Sequence, residues 1–296
     1  MIVCFGSLNV DLIVRMEAVP RSGQTVLADG VSIQPGGKGA NQALAAARDG
    51  AETVMVGAVG TDPLAAVALA DLRAADVDLS RVDAVAGATG CASIWIDGEG
   101  RNRIAVALGA NAGARAAQVG DDLLAGASSL LLQMECDAGE VTALLRRSRS
   151  LGIRAILNLA PARPLPPGIL GLTGLLVVNE DEAETIASRI GSPADAAGLR
   201  AALGTDVVRT LGEGGSEAAT AEGAWHVPAR PVRPVDTTAA GDGFIGVLAA
   251  ALDRGEPLRR AMERASTAAA LACTRPGSQS SLPRREEIDR ALAGPA

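Results

Sequence analysis

The sequence predicts an α/β fold: a three-layer sandwich around a mostly parallel central sheet, with a small β-sheet lid. Three observations point there. Beyond residue 115, short apolar runs alternate with amphipathic stretches, the rhythm of parallel strands connected by helices that cover both faces. The first hundred residues instead carry short β-like runs and a hairpin signal at Asp97-Gly98-Glu99-Gly100. Hydrophobic residues make up 48% of the 296 positions and aromatics only 1%, so the core is filled with Ala, Val and Leu.

In chain order, Ile2–Phe5 and residues 12–14 read as strands joined through the turn-rich link Gly6-Ser7-Leu8-Asn9. Residues 25–33 mix β-branched and polar side chains like an exposed strand, and the glycines at 36, 37 and 39 open a helix over 40–48. Residues 53–59 form a buried-strand run; 63–75 read as a helix with proline at its start. Strands at 91–96 and 103–107 flank the hairpin. Further strands at 130–133, 155–158, 175–178 and 207–211 alternate with helices near 137–150, 181–188 and 193–203. An apolar, alanine-rich helix follows Asp242. No linker or repeat interrupts the chain, so residues 1–296 read as one domain, with a lid built from about 10–35 and 90–108.

Composition narrows the function. The net charge is −7, and the basic pairs Arg146-Arg147 and Arg284-Arg285 read as solvated helix faces. With so few aromatic platforms and no basic cluster, nucleic acid is not an expected partner. Cys4, Cys91, Cys136 and Cys273 stand apart without a C-x-x-C pair, which suggests neither zinc nor a disulfide framework, and Cys4 and Cys273 read as small core residues. The strand-like start leaves no room for a signal peptide and no apolar run spans a bilayer, so a cytoplasmic protein is expected. His226, the single histidine, reads as a surface strand residue, which disfavours a histidine triad or a histidine-rich metal site.

The segments that could carry chemistry are short. Asp236-Thr237-Thr238-Ala239-Ala240-Gly241-Asp242-Gly243 leads into a helix through small residues, which leaves backbone N–H groups bare at its N-terminus. Asp242 there is either an ordinary acidic first-turn residue or a base beside a bound phosphoryl group. Gly36-Gly37-Lys38-Gly39-Ala40-Asn41 is either a glycine-rich turn or a loop whose backbone approaches a polar ligand, with Lys38 and Asn41 facing hydroxyls. It is not a Walker A loop, since Gly39 stands where Ser or Thr must follow Gly-Lys. Asn9 and Asp11, two apart in an extended chain, share a side. Glu135 closes an apolar strand run, which places a carboxylate at a strand's carboxyl end, and Asn179-Glu180-Asp181-Glu182 closes another; acids there favour a helix N-terminus, or Glu182 and its neighbours hold Mg²⁺ through waters. Thr210-Leu211-Gly212-Glu213-Gly214-Gly215 is a strand-to-strand turn or a nucleotide wall. The G-x-G-x-x-G match at 241–246 lacks a hydrophobic strand before it, so NAD is not expected.

Taken in order, these segments resemble the PfkB, or ribokinase-like, family of carbohydrate kinases. The likeness runs through Gly6-Ser7-Leu8-Asn9-Val10-Asp11, Gly36 to Ala43, Gly109-Ala110-Asn111, Gln133-Met134-Glu135, Asn158-Leu159-Ala160-Pro161-Ala162, Asn179 to Glu184, the 210–215 loop and Asp236 to Asp242. It implies ATP-dependent phosphorylation of the 5-hydroxyl of a pentose, with D-ribose going to ribose 5-phosphate. Asp242 would be the base, and the amides of Ala239, Ala240 and Gly241 the anion hole. The sugar would be bound by Asn9, Asp11, Gly37, Lys38, Asn41, Glu135 and Asp242. The nucleotide would meet Asn179, Thr210, Gly212, Gly214, Gly215, Gly241 and Ser266. Glu182 would serve Mg²⁺ indirectly, and Asp236, Thr238, Ala272, Arg275, Gly277 and Ser281 would hold K⁺. A homodimer through the lid is also implied.

The chain departs from the family pattern in three places. Gly243 follows the base where Thr is more frequent, Ser266 stands where an adenine-contacting His or Asn is frequent, and Leu159 replaces a proline. Other furanoses (2-deoxyribose, fructose) and nucleosides are alternative substrates, and a non-catalytic binding paralogue is the alternative from another class. Asn9 favours a sugar bearing a 2-hydroxyl, because a buried polar group left unpaired is costly.

Overall fold

A computed structural model describes residues 1–294; the last two positions of the domain predicted over 1–296 lie outside the described residues. The first half runs β1 (Ile2–Phe5), β2 (Asn9–Arg15), β3 (Gly30–Gly36), α1 (Lys38–Arg48), β4 (Thr53–Gly60), α2 (Leu64–Ala68), α3 (Ala70–Ala74), β5 (Asp78–Val85), β6 (Gly90–Ile96), β7 (Asn102–Ala107) and α4 (Asp121–Ala125). The second half runs β8 (Ser129–Leu132), α5 (Ala138–Leu151), β9 (Arg154–Asn158), α6 (Pro167–Leu170), β10 (Leu175–Val178), α7 (Glu180–Ile190), α8 (Ala196–Leu203), β11 (Asp206–Thr210), β12 (Ser216–Thr220) and β13 (Gly223–Val227). The helices α9 (Ala240–Asp253), α10 (Leu258–Cys273) and α11 (Arg285–Ala293) close the chain.

Nine strands form the central sheet in the order β13-β12-β11-β10-β9-β8-β1-β4-β5, parallel from β11 to β5 and antiparallel at β12 and β13. Alternation along β1 sets the three layers. Ile2 and Cys4 join the core shared with α1, α9 and α10, while Val3 and Phe5 join the one shared with α5, α7 and α8. A buried four-residue strand has no polar face to spare, so β1, β8 and β10 read as unbroken apolar runs. The chain leaves β1 for β4 and β5 on one side and returns to β8 on the other. The carboxyl ends of β1 and β8 are therefore the switch point, where open α/β sheets bind ligands.

The second sheet, β3-β2-β6-β7, is the smaller sheet of the fold and falls within the segments read for the lid, about 10–35 and 90–108, apart from the outermost residues of β2 and β3. Its first strand begins later than the expected 25–33, because β3 pairs with β2 only from Gly30 against Arg15 to Gly36 against Asn9. The predicted helix over 63–75 is two short helices broken at Leu69. The strands β5 and β12 escaped the sequence reading, and β13 was read only at His226, as a surface strand residue. On β5 most side chains are exposed, and on β13 the pattern is mixed, so neither shows a clear apolar alternation. Cys273 is only half-buried, unlike Cys4. Arg147 is not a free helix face: it donates to Ala116 O, Val119 O and Asp121. Residues 228–239, between β13 and α9, form no strand. Among the described residues, no helix is long and apolar enough to cross a membrane.

Candidate active site

The carboxyl edge of the sheet gathers the polar residues. Where β1 ends, Ser7 Oγ donates to Glu135 Oε2 at 2.6 Å, just beyond β8, and the amide of Lys38 donates to the same oxygen at 3.2 Å. Gly37 takes φ +92°, a conformation that favours glycine, and a Cβ on it would lie 2.8 Å from Asn9 N and 2.9 Å from Ser7 O. A Cβ on Gly39 would lie 2.6 Å from backbone atoms of Gly6 and Ser7. The glycine run thus presses the start of α1 onto the turn after β1 and brings Lys38 into the cleft.

Asn9 and Asp11 sit two apart on β2, as the spacing predicted, and both are buried. Asn9 Oδ1 accepts from Asn111 Nδ2 at 2.7 Å, while Asn111 is itself locked by Leu8 N and Leu8 O. What Asn9 has left to offer a ligand is its amide donor. Burial, with Glu135 and Asp242 adding to it, pushes the Asp11 carboxyl up to about 6 against the pull of a Ser278 hydrogen bond and of Lys38. The Lys38 ammonium is held above its ordinary range, chiefly by Asp242 and against its own burial, with Glu135, Glu182 and Asp11 adding to the effect. One cation therefore stands among four carboxylates.

Asp242 is buried in the first turn of α9. Asn41 Nδ2 donates to its Oδ2 and Gln42 Nε2 to its Oδ1, both at 2.9 Å. Asn41 Oδ1 is buried without a partner, an acceptor left over beside the carboxylate. Ala239, before the helix, takes a left-handed conformation at φ +59°, sparsely populated by residues other than glycine. First-turn amides have no partner within a helix, so those of Gly241 and Asp242 face the cleft's end of α9. Gly241 is exposed, and a Cβ there would meet nothing within 4 Å. Its φ is not in the left-handed region, so a side chain would simply fill the space over the helix N-terminus. At Gly243 a Cβ would come within 3.0 Å of Leu282, which takes up the room a larger residue would use.

Asn179 and Glu182 form a reciprocal capping box on α7: Asn179 Oδ1 accepts from Glu182 N at 2.8 Å and Glu182 Oε2 from Asn179 N at 2.9 Å. Burial raises the Glu182 carboxyl, opposed by that amide and by Lys38. Thr210 ends β11, and a 3-10 turn over Gly212–Gly214 leads to Gly215 and β12. Three strand spacings, roughly 14 Å, separate β8 from β11. His226 lies exposed on β13, its ring nitrogen 2.7 Å from Gly214 O, and Ser266 is half-buried on α10, which packs against β13.

Asp236 accepts from Thr238 N and Gly277 N, each at 2.9 Å. Burial pushes its carboxyl up, but those hydrogen bonds outweigh it and hold it below its ordinary range. Val235 N and Asp236 N both reach Cys273 O, which fastens this segment to the end of α10 and the loop carrying Arg275, Gly277 and Ser281. Ser278 Oγ donates to Pro35 O at 2.9 Å, joining that loop to the root of the lid. Among the described residues, no cluster of three His, Cys, Asp or Glu forms a metal cage.

The residues predicted for the sugar gather where β1, β2, α1, β8 and α9 meet. Of those predicted for the nucleotide, Asn179, Thr210, Gly212, Gly214 and Gly215 lie farther along the sheet edge, while Gly241 starts α9 and Ser266 sits on α10. Of those predicted for K⁺, Asp236 and Thr238 precede α9, Ala272 lies at the end of α10, and Arg275, Gly277 and Ser281 follow it. The sequence reading gave no role to Ser7, Gln42, Asn111, Gln133, Asn158 or Ser278. A signal existed for Gln133 and Asn158, polar residues ending apolar strand runs, but none for Ser278.

The whole architecture recurs in known proteins. The family model described as "pfkB family carbohydrate kinase" matches residues 1–285. The chain belongs to the PfkB family of carbohydrate kinases. It is accordingly a phosphotransferase acting on a sugar hydroxyl. A ribokinase of Staphylococcus aureus is 34% identical over 299 residues, covering 98% of each chain. The crystal structure of a Thermotoga maritima ribokinase superposes with a TM-score of 0.93 at 31% identity over 99% of both chains. That of an Arabidopsis thaliana ribokinase complexed with ribose and ATP does so at 0.90 and 28%, again over 99% of both. This family member therefore shares the complete fold of its relatives.

Proposed function

We propose that this enzyme transfers the γ-phosphoryl group of ATP to the 5-hydroxyl of D-ribose, with Asp242 as general base. The observation that carries the reading is the buried Asp242 carboxylate, held on both oxygens by amides beside a bare helix N-terminus. The sugar O5–H proton passes to Asp242 as O5 forms its bond to the γ-phosphorus and the bond to the bridging oxygen breaks, releasing ADP. The amides of Ala239, Ala240 and Gly241 receive the charge on the phosphoryl oxygens, Ala240 N exchanging its 3.3 Å hydrogen bond to Thr237 O for one to the phosphoryl group. Asn9 donates to and Asp11 accepts from ring hydroxyls, Lys38 offsets negative charge, and Glu135 fixes the glycine loop around the sugar. Asn179, Thr210, Gly212, Gly214, Gly215 and Ser266 line the nucleotide's path. The relatives that act as ribokinases, one of them complexed with ribose and ATP, support this choice of substrates.

Glu182 keeps one carboxylate oxygen outside its capping box, which fits a Mg²⁺ that retains its waters and binds mainly to phosphates. Asp236 with Thr238, Ala272, Arg275, Gly277 and Ser281 offers an all-oxygen set for K⁺, whose charge would steady the anion hole. The four-stranded sheet serves as lid to a single α/β domain. It exposes Val31, Ile33, Trp95, Ile104 and Val106, an apolar area that a second copy of the chain would cover.

An ADP-release assay across ribose, 2-deoxyribose, fructose and adenosine, with and without K⁺, tests the substrate. Asp242→Asn should lose about three orders of magnitude in kcat while ribose binding changes little. Ribose binding with no ADP release from any sugar would overturn the kinase reading.

A further inference from the structure

Three amides buried beneath the cleft belong to no assigned role. Gln42 is fully buried, and its Nε2 bridges Asp242 Oδ1 at 2.9 Å and Asn158 Oδ1 at 3.1 Å. Its Oε1 accepts from Gln133 Nε2 at 2.7 Å, and Gln133 in turn reaches Cys4 Sγ at 3.6 Å. Every residue of this chain is nine-tenths buried or more, and its members come from β1, β9, α1, α9 and the position just after β8.

We infer that Gln42 is a positioning residue for the phosphoryl-transfer step: it fixes the plane of the Asp242 carboxylate. The inference rests on Asp242 being the base. Its physical content is the polarity of the chain. The ionised Asp242 carboxylate can only accept, so Gln42 must turn its Nε2 toward it, which leaves Gln42 Oε1 to accept from Gln133 Nε2. The Gln42 amide therefore cannot flip, and its N–H groups are aimed at Asp242 and Asn158. With Asn41 holding Oδ2, both carboxylate oxygens are tied from one helix. A carboxylate so held cannot rotate about its last bond, and the lone pair left on each oxygen keeps a single direction. A base needs that fixed direction to meet the hydroxyl proton at hydrogen-bond distance, and small misplacements are costly in rate. Asn41 also faces the sugar, whereas Gln42 is buried against the sheet and acts only through Asp242.

The test compares Gln42→Leu, Gln42→Glu and Asp242→Asn as full-length enzymes, with ribose affinity measured by calorimetry. Gln42→Leu should lower kcat roughly ten- to hundredfold while the ribose dissociation constant moves less than about threefold. Gln42→Glu supplies the conservative rescue. Its protonated carboxyl still donates to Asp242, while its ionised form sets like charges face to face. Its kcat relative to the parent's should therefore be highest at acidic pH and fall as pH rises, whereas the Gln42→Leu ratio stays flat. Gln42→Leu within about twofold of parental kcat would overturn the inference, as would loss of kcat and ribose affinity in equal proportion. Should Gln42→Leu fail to fold, the pH trend of Gln42→Glu decides alone, and a flat ratio would overturn the inference. Asp242→Asn separates the two readings. Near-parental turnover there removes the base assignment itself, while an inactive Asp242→Asn beside a fully active Gln42→Leu removes only the positioning role.

Discussion

Acidification should cost this enzyme its sugar before it costs it its fold. Asp11 faces the cleft from β2, and burial raises its carboxyl to about 6 in the free protein. The sign follows from which form the ligand prefers. A sugar hydroxyl donates to a carboxylate, so binding favours the ionised form and weakens as Asp11 takes up a proton. Between about pH 7.5 and about pH 5 the ionised fraction drops from nearly all to roughly one-tenth, which raises the ribose dissociation constant about tenfold. Near pH 6 binding should release roughly half a proton, detectable by calorimetry in buffers of different ionisation enthalpy. Leaving nucleotide out keeps phosphoryl transfer from the measurement. Asp11→Asn should bind ribose weakly and without this pH trend. The stability sign is opposite to the usual acidic case. The folded-state value lies above the unfolded one, so Asp11 contributes stability below about pH 4 that is lost as pH rises through about 6. The unliganded Asp11→Asn protein should thus melt higher than the parent at pH 7.5. A ribose affinity constant across this range, or an equal trend in Asp11→Asn, would refute the reasoning.

Three further outcomes can be checked directly. Gly39→Ala puts a Cβ 2.6 Å from backbone that cannot yield, so the start of α1 must retreat by about 0.8 Å to reach ordinary contact; kcat should fall by roughly tenfold or more in steady-state assays. Asn111→Leu releases Asn9 from its fixed orientation, so the kcat/KM ratio of ribose over 2-deoxyribose should shrink several-fold, where a general loss of fold would lower both alike. Asp49, fully buried, ties α1 to Arg254 at 2.8 Å and to Arg264, which also holds Asp289. Asp49→Asn leaves those cations short of a partner, and urea unfolding should show a loss of about 3 kcal/mol.

Much of this was legible in the chain because the signals are local. The parallel strands announce themselves as short apolar runs, and Asn9 with Asp11 follows from a two-residue period. The α7 start realises both of its sequence readings together, since Asn179 and Glu182 cap the helix while Glu182 remains in electrostatic reach of Lys38. What stayed hidden is what depends on side chains meeting across the fold. Nothing in the spacing of Gln42, Gln133 and Asn158 says that their amides form a chain, because they lie on α1, just past β8 and on β9, far apart in sequence. Ser278 is similar: its link to Pro35 exists only once the loop after α10 returns to the lid root. The strand β5 escaped because exposed charges interrupt its apolar alternation.

The poverty in aromatics, read first as a limit on ligands, also bears on how the base is held. Asn, Gln and Asp are short, and they bridge two helices only if the backbones come close; interaxial distance depends on the side chains at the contact. On α1 the packed positions include Ala43, Ala45 and Ala46, and on α9 they include Gly246, Ala249 and Ala250, all buried. A Cβ on Gly246 would come 2.6 Å from the Ala45 Cβ, so the two helices touch with nothing between them. That approach is what lets Asn41 and Gln42 reach Asp242 directly. Larger residues at these positions would stabilise a core equally well by area while holding the helices too far apart for the amide–carboxylate contacts. The small-residue composition is therefore a condition for the site's geometry, and the helix that follows the glycine loop proposed for the sugar is the same one that holds Asp242, the proposed base.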